Sequence, residues 1–217
     1  MIRNSLSLGM CVAKWFTAAS VLALMVPQAY ADGPSIIRIE EDWEMVIGEP
    51  SPSSDAPQVT CAISPLPNLD WLSATFVVNS HEVPNFTAGG LQLQAWRGEQ
   101  LLDSRHAPNQ AVLATPGEVV RWTQVMEKAP DGVKFQIING TSTTWGNFGG
   151  DDALKLNIPT SLPNLNGYNP EVSVKNSGVS YAGNRVRSLV LKKVRAYTAE
   201  GLLAENDNPK TAHEAND

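Results

Sequence analysis

Apolar and polar residues alternate in short runs through most of the chain after Pro34, and the runs are punctuated by Gly, Pro, Asn and Asp. Alternation with period 2 places successive side chains on opposite faces of a strand, so such runs predict half-buried β-structure. The pattern predicts strands over Ile36–Ile47, Val59–Ser64, Leu72–Asn79, Leu91–Trp96 and Gln100–His106. It predicts others over Val119–Lys128, Val133–Asn139, Ala153–Ile158, Glu171–Lys175 and Arg185–Tyr197. In the last of these, Val186, Leu189, Val190, Val194 and Tyr197 also fit a helical stripe, but the valines and the surrounding pattern favour a strand. Ala129-Pro130-Asp131-Gly132 joins two of the runs as a hairpin turn, since Pro sets φ and Gly permits φ > 0. Arg97-Gly98-Glu99 joins two more. Many short strands without a repeat of fixed period predict an all-β fold, a two-sheet antiparallel β-sandwich of jelly-roll or concanavalin-like form.

The N-terminus changes the picture of where the protein works. Arg3 and Lys14 precede an apolar run, Trp15–Val26, which Pro27 breaks before an Ala29-Tyr30-Ala31 cleavage site. This is the arrangement of a secretory signal peptide, and the run is shorter than the roughly 20 residues of a membrane span. The sequence therefore predicts a signal peptide over 1–31, one β-sandwich domain over 32–198 and a disordered acidic tail over 199–217. Glu49–Pro57, rich in Pro and Ser, reads as a loop. The expected product is secreted or periplasmic and does not span a membrane. The full chain carries a net charge of −6; removing residues 1–31 takes away two basic residues and no acidic one, leaving −8. A chain this acidic has no general attraction for nucleic acid. Cys61 is the one cysteine left after cleavage, and it shares a face with Val59 and Ile63, which predicts a buried core thiol.

Candidate chemistry lies in three places. On the first predicted strand, Glu40, Asp42 and Glu44 project from one face, with Ile37, Ile39, Trp43, Met45 and Ile47 on the other. Arg185, Arg187, Lys192, Lys193 and Arg195 form a basic counterpart near the other end of the chain. If the two strands pair, opposite charges face each other across the ladder; the same cations would also suit an anionic glycan or a phosphate. The third place is the loop Gly140–Asp152, where Trp145 and Phe148 stand among glycines and hydroxyls. Sugar sites use aromatic faces against pyranose C–H surfaces and polar side chains for the hydroxyls. Trp145, Asn147, Phe148 and Asp151 supply those groups; the alternative is a rigid turn whose aromatics pack inward. A polar loop, Asn164–Asn169, would form the opposite wall of such a site or a turn at Asn166-Gly167.

Other chemistries find no support. Gly178–Ala182 echoes a nucleophile elbow without the βαβ context such a serine needs, so Ser180 reads as a turn residue. His81 and His106 stand apart from any zinc-binding spacing, there is no phosphate-binding glycine loop, and no cofactor is expected. Asn85-Phe86-Thr87 and Asn139-Gly140-Thr141 have the form of glycosylation sequons.

Two resemblances follow from these residues. Glu40-Glu41-Asp42-Trp43-Glu44 resembles the E-x-D-x-E catalytic strand of laminarinase-type glycoside hydrolases, which implies Glu40 as nucleophile, Glu44 as acid/base and Asp42 as the residue that tunes them. That chemistry needs the two carboxyl groups about 5–5.5 Å apart, whereas i and i+4 on a strand lie about 13 Å apart at Cα. The segments TSTTWGNFGG and GNRVRSLVLKKVR resemble uncharacterised exported bacterial β-sandwich proteins of concanavalin-like architecture, a likeness that implies fold rather than activity. The expected function is a non-catalytic binding module with carbohydrate as ligand. The alternatives are a glycoside hydrolase or polysaccharide lyase using Glu40, Asp42 and Glu44, and a structural component of an exported or cell-surface assembly.

Overall fold

The computed structural model describes residues 33–48, 57–80, 90–107, 113, 115–181 and 183–215. The predicted signal peptide, most of the Glu49–Pro57 loop, His81 and the Asn85 sequon lie outside these residues. The strands run in order β1 (Arg38–Ile47), β2 (Gln58–Ile63), β3 (Ser73–Ser80), β4 (Gly90–Arg97) and β5 (Gln100–His106). Then come β6 (Val119–Ala129), β7 (Gly132–Ser142), β8 (Gly146–Phe148) and β9 (Lys155–Pro159). A short helix α1 (Pro170–Lys175) precedes β10 (Gly178–Tyr181), β11 (Val186–Thr198), β12 (Gly201–Asn206) and β13 (Lys210–Glu214).

Two antiparallel sheets pack face to face as a β-sandwich. The larger has the order β12-β11-β1-β6-β7-β8, with β13 also paired to β11 and β9 to β7; the smaller has the order β10-β2-β3-β4-β5. Between them lies one core, to which the predicted alternation delivers Ile39, Trp43, Met45 and Ile47 from β1 and Val59, Cys61 and Ile63 from β2. Phe76 and Trp122 meet edge to face across it, with centroids 5.5 Å apart. The β6–β7 and β4–β5 hairpins form at the predicted turns, and Gly98 supplies the left-handed φ of +55°.

Three local expectations are corrected. Glu171–Lys175, predicted as a strand, lies within α1: Asn169 caps it by accepting from the Glu171 N–H, and Pro170 occupies its first turn. Ser180, read as a turn residue, lies in β10 against β2. The tail expected to be disordered forms β12 and β13, which cover the free edge of β11 in tandem. Its strands are held by backbone ladders, by a His213 ring nitrogen 3.1 Å from the Gly183 and Val186 carbonyl oxygens, and by the Lys210–Glu171 ion pair. None of these needs a hydrophobic pattern; all residues of β12 are exposed.

Glu41 breaks the apolar row of β1 and is fully buried. Its carboxylate accepts from Tyr168 Oη at 2.8 Å and from Trp43 Nε1 at 3.0 Å. Burial outweighs these donors and pushes its pKa up to about 7. The Cys61 thiol is also raised, by its own burial and then by the nearby Glu41 charge. A carboxyl that is raised on folding leaves the folded state holding more protons than the unfolded one, so stability falls as pH rises from about 4.5 through about 7. The loss above that window is expected to be about 3 kcal/mol. Urea unfolding at pH 4.5 and pH 8 checks this: Glu41→Gln is expected to remove most of that difference, and an unchanged difference would contradict it.

Candidate functional site

The outward row of β1 meets charge on both sides. Arg195 of β11 grips Asp42 with two nitrogens, Nη1–Oδ2 at 2.6 Å and Nη2–Oδ1 at 2.8 Å, and donates Nε to Glu40 Oε2 at 2.8 Å. Arg38 and Tyr197 complete the shell of Glu40. Burial pushes the Glu40 carboxyl up, but the hydrogen bonds from Arg195, Arg38 and Tyr197 outweigh it and hold the group below its ordinary value. Arg195 is raised in turn, through its bonds to Asp42 and then Glu40. Glu44 lies between Arg121, whose Nε donates at 2.8 Å and whose Nη2 lies 2.7 Å away, and Lys192, 3.6 Å away. The pairing of oppositely charged strands expected from the sequence is therefore present, in the register Glu40↔Arg195.

This face is not flat. The β1–β11 register shifts between Asp42/Lys193 and Trp43/Leu191, so Lys192 is an extra residue on β11. The β6–β7 register shifts between Arg121/Thr141 and Thr123/Ile138, so Asn139 and Gly140 together oppose Trp122, with Asn139 at a left-handed φ of 55°. A bulge re-aims the side chains around it. Here two bulges at the level of the Trp43–Trp122 pair border an open groove of about 470 Å³. Asp42 and Glu44 line it from β1, Arg121 and Thr123 from β6, Asn139 and Thr141 from β7, and Lys192 and Arg195 from β11. A polar chain crosses it, Asn139 Nδ2 donating to Thr123 Oγ1 at 3.4 Å and Thr123 Oγ1 to Asp42 Oδ1 at 2.8 Å. Asn139 and Thr141 also border a second hollow, of about 620 Å³, which Asn147 and Phe148 line.

The loop that carries Trp145, Asn147 and Phe148 is held from beneath by Glu118. Its carboxylate accepts from Ser142 Oγ at 2.6 Å, the Thr144 N–H at 2.8 Å and Thr144 Oγ1. Burial raises Glu118, but these donors together leave it below its ordinary value. Phe148 then lies over Gly140, where a Cβ would clash with its ring carbons, and Trp145 meets Phe148 edge to face at 5.7 Å. Both aromatics pack against the core, so the inward-packing turn is the arrangement that forms, with Phe148 still bordering the hollow. Asn147 is exposed, and Asp151 stands apart, capping a single 3-10 turn. The Asn164–Asn169 loop forms the turn rather than the opposite wall: Asn166 Oδ1 accepts from the Ile36 N–H at 2.8 Å, and Tyr168 reaches Glu41.

Glu40, Asp42 and Glu44 thus share a face, as the strand pattern requires, yet each is engaged by a guanidinium. A retaining glycosidase needs a free nucleophile and a carboxylic acid with a raised pKa beside it. Glu40 is not free, being held by Arg38, Arg195 and Tyr197, and Glu44 has a cation on either side. Among the described residues no group of three or more His, Cys, Asp or Glu is placed to hold a metal ion, and no helix is long and apolar enough to cross a membrane. Comparison of the chain with models of known protein families gave no match, and comparison with curated proteins gave none either.

Sequence reasoning missed Asn139, Thr141 and Arg121 as groove residues and Glu118 as the support of the loop. The Asn139-Gly140 dipeptide, whose Asn takes the left-handed φ of 55°, was the local signal available for the bulge. Because Glu118 satisfies the buried Ser142 hydroxyl and two part-buried donors of Thr144, Glu118→Ala is expected to cost about 1–3 kcal/mol. It is also expected to speed amide exchange in residues 142–148, read by hydrogen–deuterium exchange with mass spectrometry; protection equal to that of the parent would contradict this role.

Proposed function

We propose that this protein is an exported, non-catalytic carbohydrate-binding module whose ligand lies along the outer face of the larger sheet. The supporting observation is the groove itself: two bulges open it across β11, β1, β6 and β7, and it continues at Asn139 and Thr141 into the hollow edged by Asn147 and Phe148. Its side chains offer paired donors and acceptors at the spacing of neighbouring strands, and the Phe148 ring offers an apolar edge, the combination sugar hydroxyls and C–H faces require. The support for export is the arrangement of Arg3, Lys14, Trp15–Val26 and Ala29-Tyr30-Ala31. The ion pairing of Glu40, Asp42 and Glu44 favours binding over hydrolysis or elimination.

A glycan array probed with the purified chain tests this reading. Selective binding is expected, weakened roughly fivefold by Asn147→Ala or Thr141→Ala, the loss of about one hydrogen bond each. Both positions are exposed, so unfolding temperatures are expected to stay unchanged. The bound glycan is expected to be recovered uncleaved. No binding to any glycan would overturn the reading and leave a structural or protein-partner role.

A further inference from the structure

Resting on that reading of the groove, we propose that its ligand is an acidic saccharide, whose carboxylate or sulfate is held jointly by Lys192 and Arg121. Several observations converge on these side chains. Lys192 is the extra residue of the β11 bulge, so its ammonium is aimed by a local break in the ladder rather than by the regular alternation. It lies 3.6 Å from Glu44 Oε1, beyond hydrogen-bond distance, and the described residues give it no other ion pair. Its N–H donors are unspent.

Arg121 directs Nε and Nη2 at one oxygen, Glu44 Oε2, and its Nη1 has no partner among the described residues. The two side chains are 59% exposed for Arg121 and 46% for Lys192, so an incoming anion would meet them without a large desolvation cost. Arg195, by contrast, is committed to Glu40 and Asp42 with all three of its nitrogens.

The charge balance of the face points the same way. The charged side chains that line the groove are Arg121, Lys192 and Arg195 against Asp42 and Glu44, an excess of one positive charge. The chain as a whole carries −6. An acidic protein that keeps positive charge in excess along one groove repels polyanions elsewhere and admits them there. Glu44 sits between the two open cations and holds them in place; its single charge is outweighed by their two. A guanidinium fork takes a carboxylate or sulfate through parallel N–H donors, and an ammonium beside it adds a point charge without geometric demand.

The test is calorimetric titration of the full chain at low ionic strength with polygalacturonate, alginate, chondroitin sulfate and dextran sulfate. Methyl-esterified polygalacturonate and unmodified dextran serve as neutral counterparts with matching backbones. At least one acidic polymer is expected to bind about tenfold more tightly than its neutral counterpart, and Lys192→Gln is expected to remove most of that difference. Uronate and sulfate arms separate the two oxyanions. Lys192→Gln is expected to leave the unfolding temperature unchanged, its side chain being 46% exposed. Neutral polymers binding as well as acidic ones would overturn this inference and leave the glycan-binding module standing. Acidic binding that Lys192→Gln and Arg121→Gln both leave intact would place the polyanion elsewhere and overturn it too. Binding of no saccharide at all would overturn both.

Discussion

Arg195 joins Glu40 and Asp42 across the β1–β11 ladder, and the larger sheet is organised around that fork. β1 has β11 on one side and β6 on the other, so whatever sets its register sets the position of both neighbours. Its inner row fills the core with Ile39, Trp43, Met45 and Ile47, and a one-residue slip would turn that row outward. The guanidinium makes the same demand from the outer face, because it reaches two carboxylates only in the observed register. Charges so placed are weak sources of net stability but strong sources of specificity for one pairing. The bulge at Lys192 falls directly beyond this contact, so the shape of the groove depends on it as well.

The same row of carboxylates shows how an apparent catalytic pattern becomes a set of fixed ion pairs. Three acids on one strand face are chemically ambiguous: beside apolar walls and each other they acquire raised pKa values, beside cations they become fixed acceptors. Here Arg38, Arg121, Lys192 and Arg195 surround them, and Tyr197 and Thr123 add further donors. The raised carboxyl of this strand is instead Glu41, one residue away and on the opposite face, sealed in the core with Trp43 and Tyr168 and out of reach of any ligand in the groove. Proton affinity and access are thereby separated between neighbouring residues.

Legibility in the sequence followed the physics of each element. The alternation of β1, the Val59, Cys61 and Ile63 row and the hairpin at Pro130 were readable because burial on one face leaves a period-2 trace. The segment at 171–175 alternates too, but Asn169 and Pro170 form a helix start whose signal was outvoted by its neighbours. β12 and β13 left no trace, since backbone hydrogen bonds to the open edge of β11 hold them and backbone carries no sequence code. The bulges were invisible for a related reason: register is a property of two strands together. The candidate site was accordingly half legible. The acids and the aromatic loop could be named, while Lys192, Asn139 and Thr141 became partners only when four strands were laid side by side.

The central claim is that the bulge-flanked face of the larger sheet is where this protein meets its ligand. Two-dimensional amide NMR of the isotopically labelled chain, titrated with an acidic oligosaccharide, tests that claim most directly. Saturable shifts clustered at Arg121, Asn139, Thr141, Asn147 and Lys192, with the amides of the smaller sheet unmoved, are the result this account predicts. Shifts centred on the opposite sheet or on the edge between β5 and β9, or none at saturating ligand, would contradict it.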